Sequence, residues 1–166
     1  RGAAPGQQAG QALSISTFNW QAGLWSGSSG SWVNLHPSAA SSSFVFDTDG
    51  AQQAGYCVIL NALRASLWSG SAASWVNLNP VGSVRSQCFG VHAGQQAGYA
   101  FVGNVEHASV WSGSAASWSD INPPGAVSSQ ALAVHAGRQA GFTEFVGGYY
   151  RAGLWNGSAA SWVDLH

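Results

Sequence analysis

Short β-prone runs broken by Gly, Ser and Asn punctuate this chain from end to end, and no stretch keeps the apolar spacing of an amphipathic helix. One full unit runs from Ser86 to Ile121. Ser86 to Val91 predicts a strand closed by a turn at His92-Ala93-Gly94, and Gln96 to Val102 predicts a second, closed at the turn dipeptide Gly103-Asn104. His107 to Trp111 is a third, Ser112 to Ala116 turns the chain, and Ser117 to Ile121 is a fourth. Four short strands at intervals of about ten residues predict an antiparallel meander. Centring the last turn on Ser114-Ala115 sets Trp111 opposite Trp118, where aromatic cross-strand pairs contribute roughly 0.2–1 kcal/mol.

The same unit recurs. Leu24-Trp25-Ser26-Gly27-Ser28 returns as Leu67-Trp68-Ser69-Gly70-Ser71, Val110-Trp111-Ser112-Gly113-Ser114 and Leu154-Trp155-Asn156-Gly157-Ser158, with Trp spacings of 43, 43 and 44. Seven residues after each stands a second Trp: Trp32, Trp75, Trp118 and Trp162. Upstream, Gly6-Gln7-Gln8-Ala9-Gly10 returns at Ala51–Gly55, Gly94–Gly98 and Gly137–Gly141. The chain is therefore one repeat domain over residues 1–166, with copies at about 1–37 (incomplete), 38–80, 81–123 and 124–166.

A four-stranded sheet of this size cannot cover both of its faces alone, so it must stack on its neighbours. Units of about 40–45 residues with four strands match β-propeller blades, and the fold class expected is all-β, propeller-type. Stacking on both faces explains why Leu67 and Trp68, on opposite faces by strand alternation, are both large and apolar. Ala- and Gly-rich first and second strands suit the narrow inner part of a wedge, and the Trp-rich third and fourth strands its wide outer part. The eight paired Trp residues, Trp25, Trp32, Trp68, Trp75, Trp111, Trp118, Trp155 and Trp162, are assigned to the blade cores. The first copy begins at its Gln-Gln strand with only Arg1 to Pro5 before it, so it is expected to lack its own first strand unless that stretch supplies a poor one, which would allow a four-bladed ring; otherwise the chain is expected to be part of a larger ring. An unclosed blade would leave an apolar face open to association with other copies or other subunits.

Composition narrows the function classes. The 166 residues carry 5 Arg and Lys together against 6 acids, a formal net charge of −1, and only 7% are charged. Five scattered Arg cannot neutralise a phosphate track, which excludes nucleic-acid binding by charge. No apolar run is long enough to span a membrane. No Met occurs, even at position 1, and no signal-like segment is present, so the sequence reads as a processed chain or an excerpt.

The run Gly-Gln-Gln-Ala-Gly-Tyr, then Leu-Trp-Ser-Gly-Ser, then Trp-Val-Asn-Leu-Asn-Pro resembles the bacterial extracellular repeats called the HAF family, over nearly the whole chain. It departs from that pattern where His-Ala-Phe would precede Leu-Trp: this chain has His107-Ala108-Ser109, Arg64-Ala65-Ser66, Arg151-Ala152-Gly153 and Gln21-Ala22-Gly23. The resemblance implies an exported protein with propeller-like domains, no established reaction, and a structural or binding role; no catalytic residue carries over.

Candidate chemistry is sparse. His92 and His135 share one repeat position with Asp49, His36 and His166 share another with Asn79 and Asn122, and His107 aligns with Arg64, Arg151 and Gln21. Equivalent positions in separate blades are expected to diverge, so these histidines should cap turns rather than hold a metal. Asp47 and Asp49 should satisfy turn backbone, and Asp120 and Asp164, aligned with Asn34 and Asn77, suit one repeated structural hydrogen bond. No catalytic constellation, cofactor motif or metal set emerges. Cys57 and Cys88 lie on adjacent units, where a disulfide and two small buried residues are both open. Loops between second and third strands vary among copies, and Trp20, Gln21, Arg64, His107, Tyr149, Tyr150 and Arg151 border them as the candidate ligand or partner surface. The partners expected are further copies or other protein subunits, with glycans as the alternative, since aromatic rings stack on sugar faces.

Overall fold

The structure is a computed structural model that describes residues 2–166. Those residues form four antiparallel four-stranded sheets, each a meander in chain order. Sheet 1 holds β1 (Ala3–Ala4), β2 (Gln7–Leu13), β3 (Trp20–Trp25) and β4 (Val33–Asn34). Sheet 2 holds β5 (Ser42–Thr48), β6 (Gln53–Ile59), β7 (Ala62–Trp68) and β8 (Val76–Asn77). Sheet 3 holds β9 (Ser86–His92), β10 (Gln95–Val102), β11 (Val105–Trp111) and β12 (Ser119–Asp120). Sheet 4 holds β13 (Ala126–His135), β14 (Arg138–Phe145), β15 (Tyr149–Trp155) and β16 (Val163–Asp164).

Of the two expectations for the first copy, the poor first strand is the one present. The first copy does have a first strand, reduced to Ala3–Ala4 and paired with Gln8 and Gln7. Gly6 takes φ +73°, the left-handed conformation that returns the chain against β2 after Pro5. Arg1, the first residue of that stretch, lies outside the described residues.

The recurring Trp-Ser-Gly-Ser segment is a self-contained corner. In sheet 2, Ser69 N–H donates to Ser74 Oγ at 2.8 Å, and that hydroxyl donates to Ser71 O at 2.7 Å, closing the 3₁₀ turn Ala72–Ser74. The equivalent serines 31, 117 and 161 make the same two bonds. A second constraint fixes Gly55, Gly98 and Gly141. A Cβ at each would stand 1.9–2.0 Å from the carbonyl oxygen of Phe44, Gln87 or Gln130, where a bulge presses the first strand onto the second.

The sheets pack in series, first on second, second on third, third on fourth. Among the described residues the first and fourth sheets share no such packing. Each contact has one design. Ala54, Ala65, Leu67 and Leu78 of sheet 2 meet Cys88, Val91, Ala100 and Trp111 of sheet 3. Ala9, Ala22, Leu24 and Leu35 of sheet 1 meet Val45, Cys57 and Trp68 of sheet 2, and Ala97, Ala108, Val110 and Ile121 of sheet 3 meet Ala131, Val134 and Trp155 of sheet 4. Leu67 and Trp68 do bury on opposite faces, each 3% exposed or less. A buried Trp removes roughly 150–250 Å² from water, so each contact gains on the order of several kcal/mol from its fully buried third-strand indole alone.

Candidate functional site

Polar links between sheets repeat as faithfully as the apolar ones. One Gln at the same position of each copy, preceded by Gln7, Gln52, Gln95 or Arg138, accepts through its side-chain oxygen the Gly N–H of its own sheet's corner: Gly27 to Gln8, Gly70 to Gln53, Gly113 to Gln96 and Gly157 to Gln139, at 2.8–2.9 Å. Its amide nitrogen then reaches back one sheet. Gln53 donates to Gln7, Gln96 to Gln52 and Gln139 to Gln95, at 2.9–3.2 Å. Gln53, Gln96 and Gln139 are fully buried, so these bonds satisfy groups that water cannot reach. A second bridge uses a buried serine on the first strands of sheets 2 to 4. Ser43, Ser86 and Ser129 accept the N–H of Ala22, Ala65 and Ala108 across the contact at 2.9–3.0 Å. Their hydroxyls also bond His36, Asn79 and Asn122, two residues beyond the end of each fourth strand.

The acids and histidines are structural in these contacts. Asp49 caps its turn through Ala51 and Gln52 N–H as expected, but its other oxygen accepts Ala93 N–H of sheet 3, and Asp47 accepts Val91 N–H. The asparagine and aspartate position also behaves as expected: Asn34, Asn77, Asp120 and Asp164 each accept the N–H two residues on. The histidine expectation is corrected. His92 and His135 do not diverge; their ring centroids lie 4.1 Å apart, and His92 Nδ1 accepts Ala136 N–H. Neighbouring sheets pack closely enough at this turn to bring equivalent positions into contact, which spacing along the chain does not reveal. Among the described residues no group of three or more His, Cys, Asp and Glu gathers as a metal set. Burial lowers the pKa of His36, with a backbone hydrogen bond to Ala40 acting the other way.

Cys57 and Cys88 are free and buried, in different contacts: Cys57 faces sheet 1 and Cys88 faces sheet 2. Burial pushes the Cys57 thiol up to about 12 and the Cys88 thiol higher still, so both stay protonated and behave as small apolar residues.

The candidate surface residues sit at the starts of the third strands, spread over all four sheets. Gln21 accepts from Asn34 at 3.0 Å, His107 bonds Asp120 at 2.7 Å, and Arg151 donates to Asp164 at 2.6 Å. The last pair holds the Asp164 carboxyl below its usual range. Arg64 instead donates to Ser83 O at 3.2 Å. Tyr149 and Tyr150 are exposed in sheet 4, Tyr150 edge-on to Phe142 at 5.6 Å. Trp20, 42% exposed, starts a row that sequence reasoning missed. It lies 6.3 Å from Phe44, which stacks on Tyr56 at 4.7 Å; Phe46, Phe89 and Tyr99 carry the row on to Phe101, over which Arg85 sits at 5.4 Å. These aromatics are not repeated in all copies, and that departure from the repeat was the signal.

Clefts lie between sheets and on one end face. One runs beside Trp75 between His36, Pro37 and Ser38 and the corner at Ala72 and Ala73, and another, one sheet later, joins Trp118 and Pro80 to Phe101 and Val102. Two more share Arg138 and Leu154 on sheet 4. No protein-family model matches the chain. No curated protein sequence matches it either. Among solved structures, the chain is similar to the acylaminoacyl peptidase of Pyrococcus horikoshii, with 13% identity and a TM-score of 0.64 over 96% of this chain. It spans about a quarter (25%) of the length of that protein, and the likeness is one of fold.

Proposed function

We propose that the chain is a non-catalytic, exported repeat module of β-propeller type that joins an assembly through its end faces. The observation that carries this is the contrast between three closed, near-identical contacts and two end faces that, among the described residues, no sheet covers. Serial stacking of four-stranded meanders supports the propeller arrangement, as does the fold likeness over nearly the whole chain. The low charge, 7% of residues, removes the repulsion that keeps apolar faces apart. Acids and histidines engaged in backbone and inter-sheet bonds favour a scaffold over a catalyst. Export rests on the resemblance to extracellular HAF-type repeats. Light scattering across a wide concentration range tests association. Mass above that of one chain, rising with concentration, is expected; a monomer throughout overturns the assembly role.

Carbohydrate binding is a second reading, favoured by two clefts, one beside Trp75 and one beside Trp118. Sugars binding there would quench Trp fluorescence. No response across a broad sugar panel removes this reading.

A further inference from the structure

The three internal contacts are a template for what the open faces fit. In each, two Ala and two larger aliphatics of one sheet receive the third-strand Trp and small first- and second-strand residues of the next. Sheet 4 repeats the receiving half as Ala140, Ala152, Leu154 and Leu165. In sheets 1 to 3 those positions are 6% exposed or less. Here Ala152 is exposed, Leu165 is 59% exposed, and Ala140 and Leu154 are half-buried. Sheet 1 repeats the second- and third-strand part of the inserting half, while its first strand, Ala3–Ala4, carries no serine. Trp25 and Ala12 are half-buried where their counterparts Trp68, Trp111 and Trp155, and Cys57, Ala100 and Thr143, are fully or almost fully buried. Gln8 is exposed where Gln53, Gln96 and Gln139 are fully buried.

Resting on the assembly role above, we infer that the sheet 4 face takes the Trp25 face of a second copy of this chain, head to tail. The contact is heterologous: the two surfaces differ, and each completes the other as sheets 1 to 3 complete their successors. One polar position supports this pairing. Gln7, Gln52 and Gln95 accept from the following sheet, but sheet 4 has Arg138 there, which only donates. Gln8 Oε1 takes one bond from Gly27 and keeps a second lone pair for that guanidinium.

The test is complementation between two variants of the 166-residue chain. Ala152→Glu puts a carboxylate on the receiving face and Ala12→Glu puts one on the inserting face. Each alone should lose self-association by about 100-fold or more, the cost of an unpaired buried charge. Mixed, they should form a 1:1 pair and nothing larger by analytical ultracentrifugation, because one intact face of each kind remains. Leu165→Glu and Ala3→Glu, at exposed positions of the same faces, repeat the test should either first variant fail to fold. If each variant alone associates like the parent chain, or the mixture stays monomeric, the head-to-tail pairing is overturned while self-association through another surface stands. A parent chain monomeric at every concentration overturns both.

Discussion

Sheets 2 and 3 are covered on both faces, and sheets 1 and 4 on one, although all four follow one sequence pattern. The difference shows in single positions. Ser66 and Ser109 accept the indole N–H of Trp75 and Trp118 at 3.0 and 2.9 Å. The end sheets have Gly23 and Gly153 at that position. There Trp32 and Trp162 lie over the bare backbone, and their rings pack on Trp25 and Trp155 with centroids 4.6 Å apart. The expected cross-strand Trp pair is thus realised as a ring contact in the end sheets. In the inner sheets the fourth-strand Trp is instead tied to its own sheet by a hydrogen bond.

The largest test of that contrast is the third-strand Trp. Trp111→Ala should cost roughly 3–5 kcal/mol by chemical denaturation, because it empties a closed contact. Trp25→Ala in the monomer should cost roughly 1–3 kcal/mol, since that indole is only half-buried. Equal losses would mean that the first sheet is as well covered as the third.

Glycine comes next. Gly98→Ala drives a Cβ to 1.9 Å from Gln87 O and should destabilise by roughly 1–3 kcal/mol or more. Gly10→Ala meets only the Trp25 ring at 3.4 Å and should fall within about 1 kcal/mol of the parent, read from melting midpoints.

The amide relay gives a smaller difference. Gln96→Ala leaves the Gly113 N–H without an acceptor beside a closed contact and should cost about 1–3 kcal/mol. Gln8→Ala, where water replaces the lost acceptor, should cost under about 1 kcal/mol. Native-state hydrogen exchange should show Gly113 exposed in the first variant.

The smallest effect is acid sensitivity at the contact of sheets 1 and 2. A folded-state pKa of His36 below the ordinary 6.5 means that the unfolded chain binds more protons in that window. Stability contributed there is present above pH 6.5 and is lost as pH falls through the lowered folded value. His36→Asn, the residue used in copies two and three, should give a flatter dependence between pH 7.5 and 5.5. An unchanged slope would remove His36 from the account.

The amino-acid sequence by itself determined the repeat, its four-strand meander, the corner at each Trp-Ser-Gly-Ser and the opposite-facing Leu67 and Trp68. These follow from local propensity, turn chemistry and the two-residue period of a strand, all of which act within one copy. Only the tertiary structure decided what lies between copies. The Gln96–Gln52 bond joins residues 44 apart, Asp47 reaches the backbone of Val91, and His92 meets His135, each set by how closely one sheet leans on the next. It also decided the fate of Cys57 and Cys88, because the same face of each sheet turns toward its predecessor and the two thiols enter different cores. Strand alternation fixes which side of its sheet a residue occupies; what it meets there depends on a neighbour folded from sequence a full repeat away.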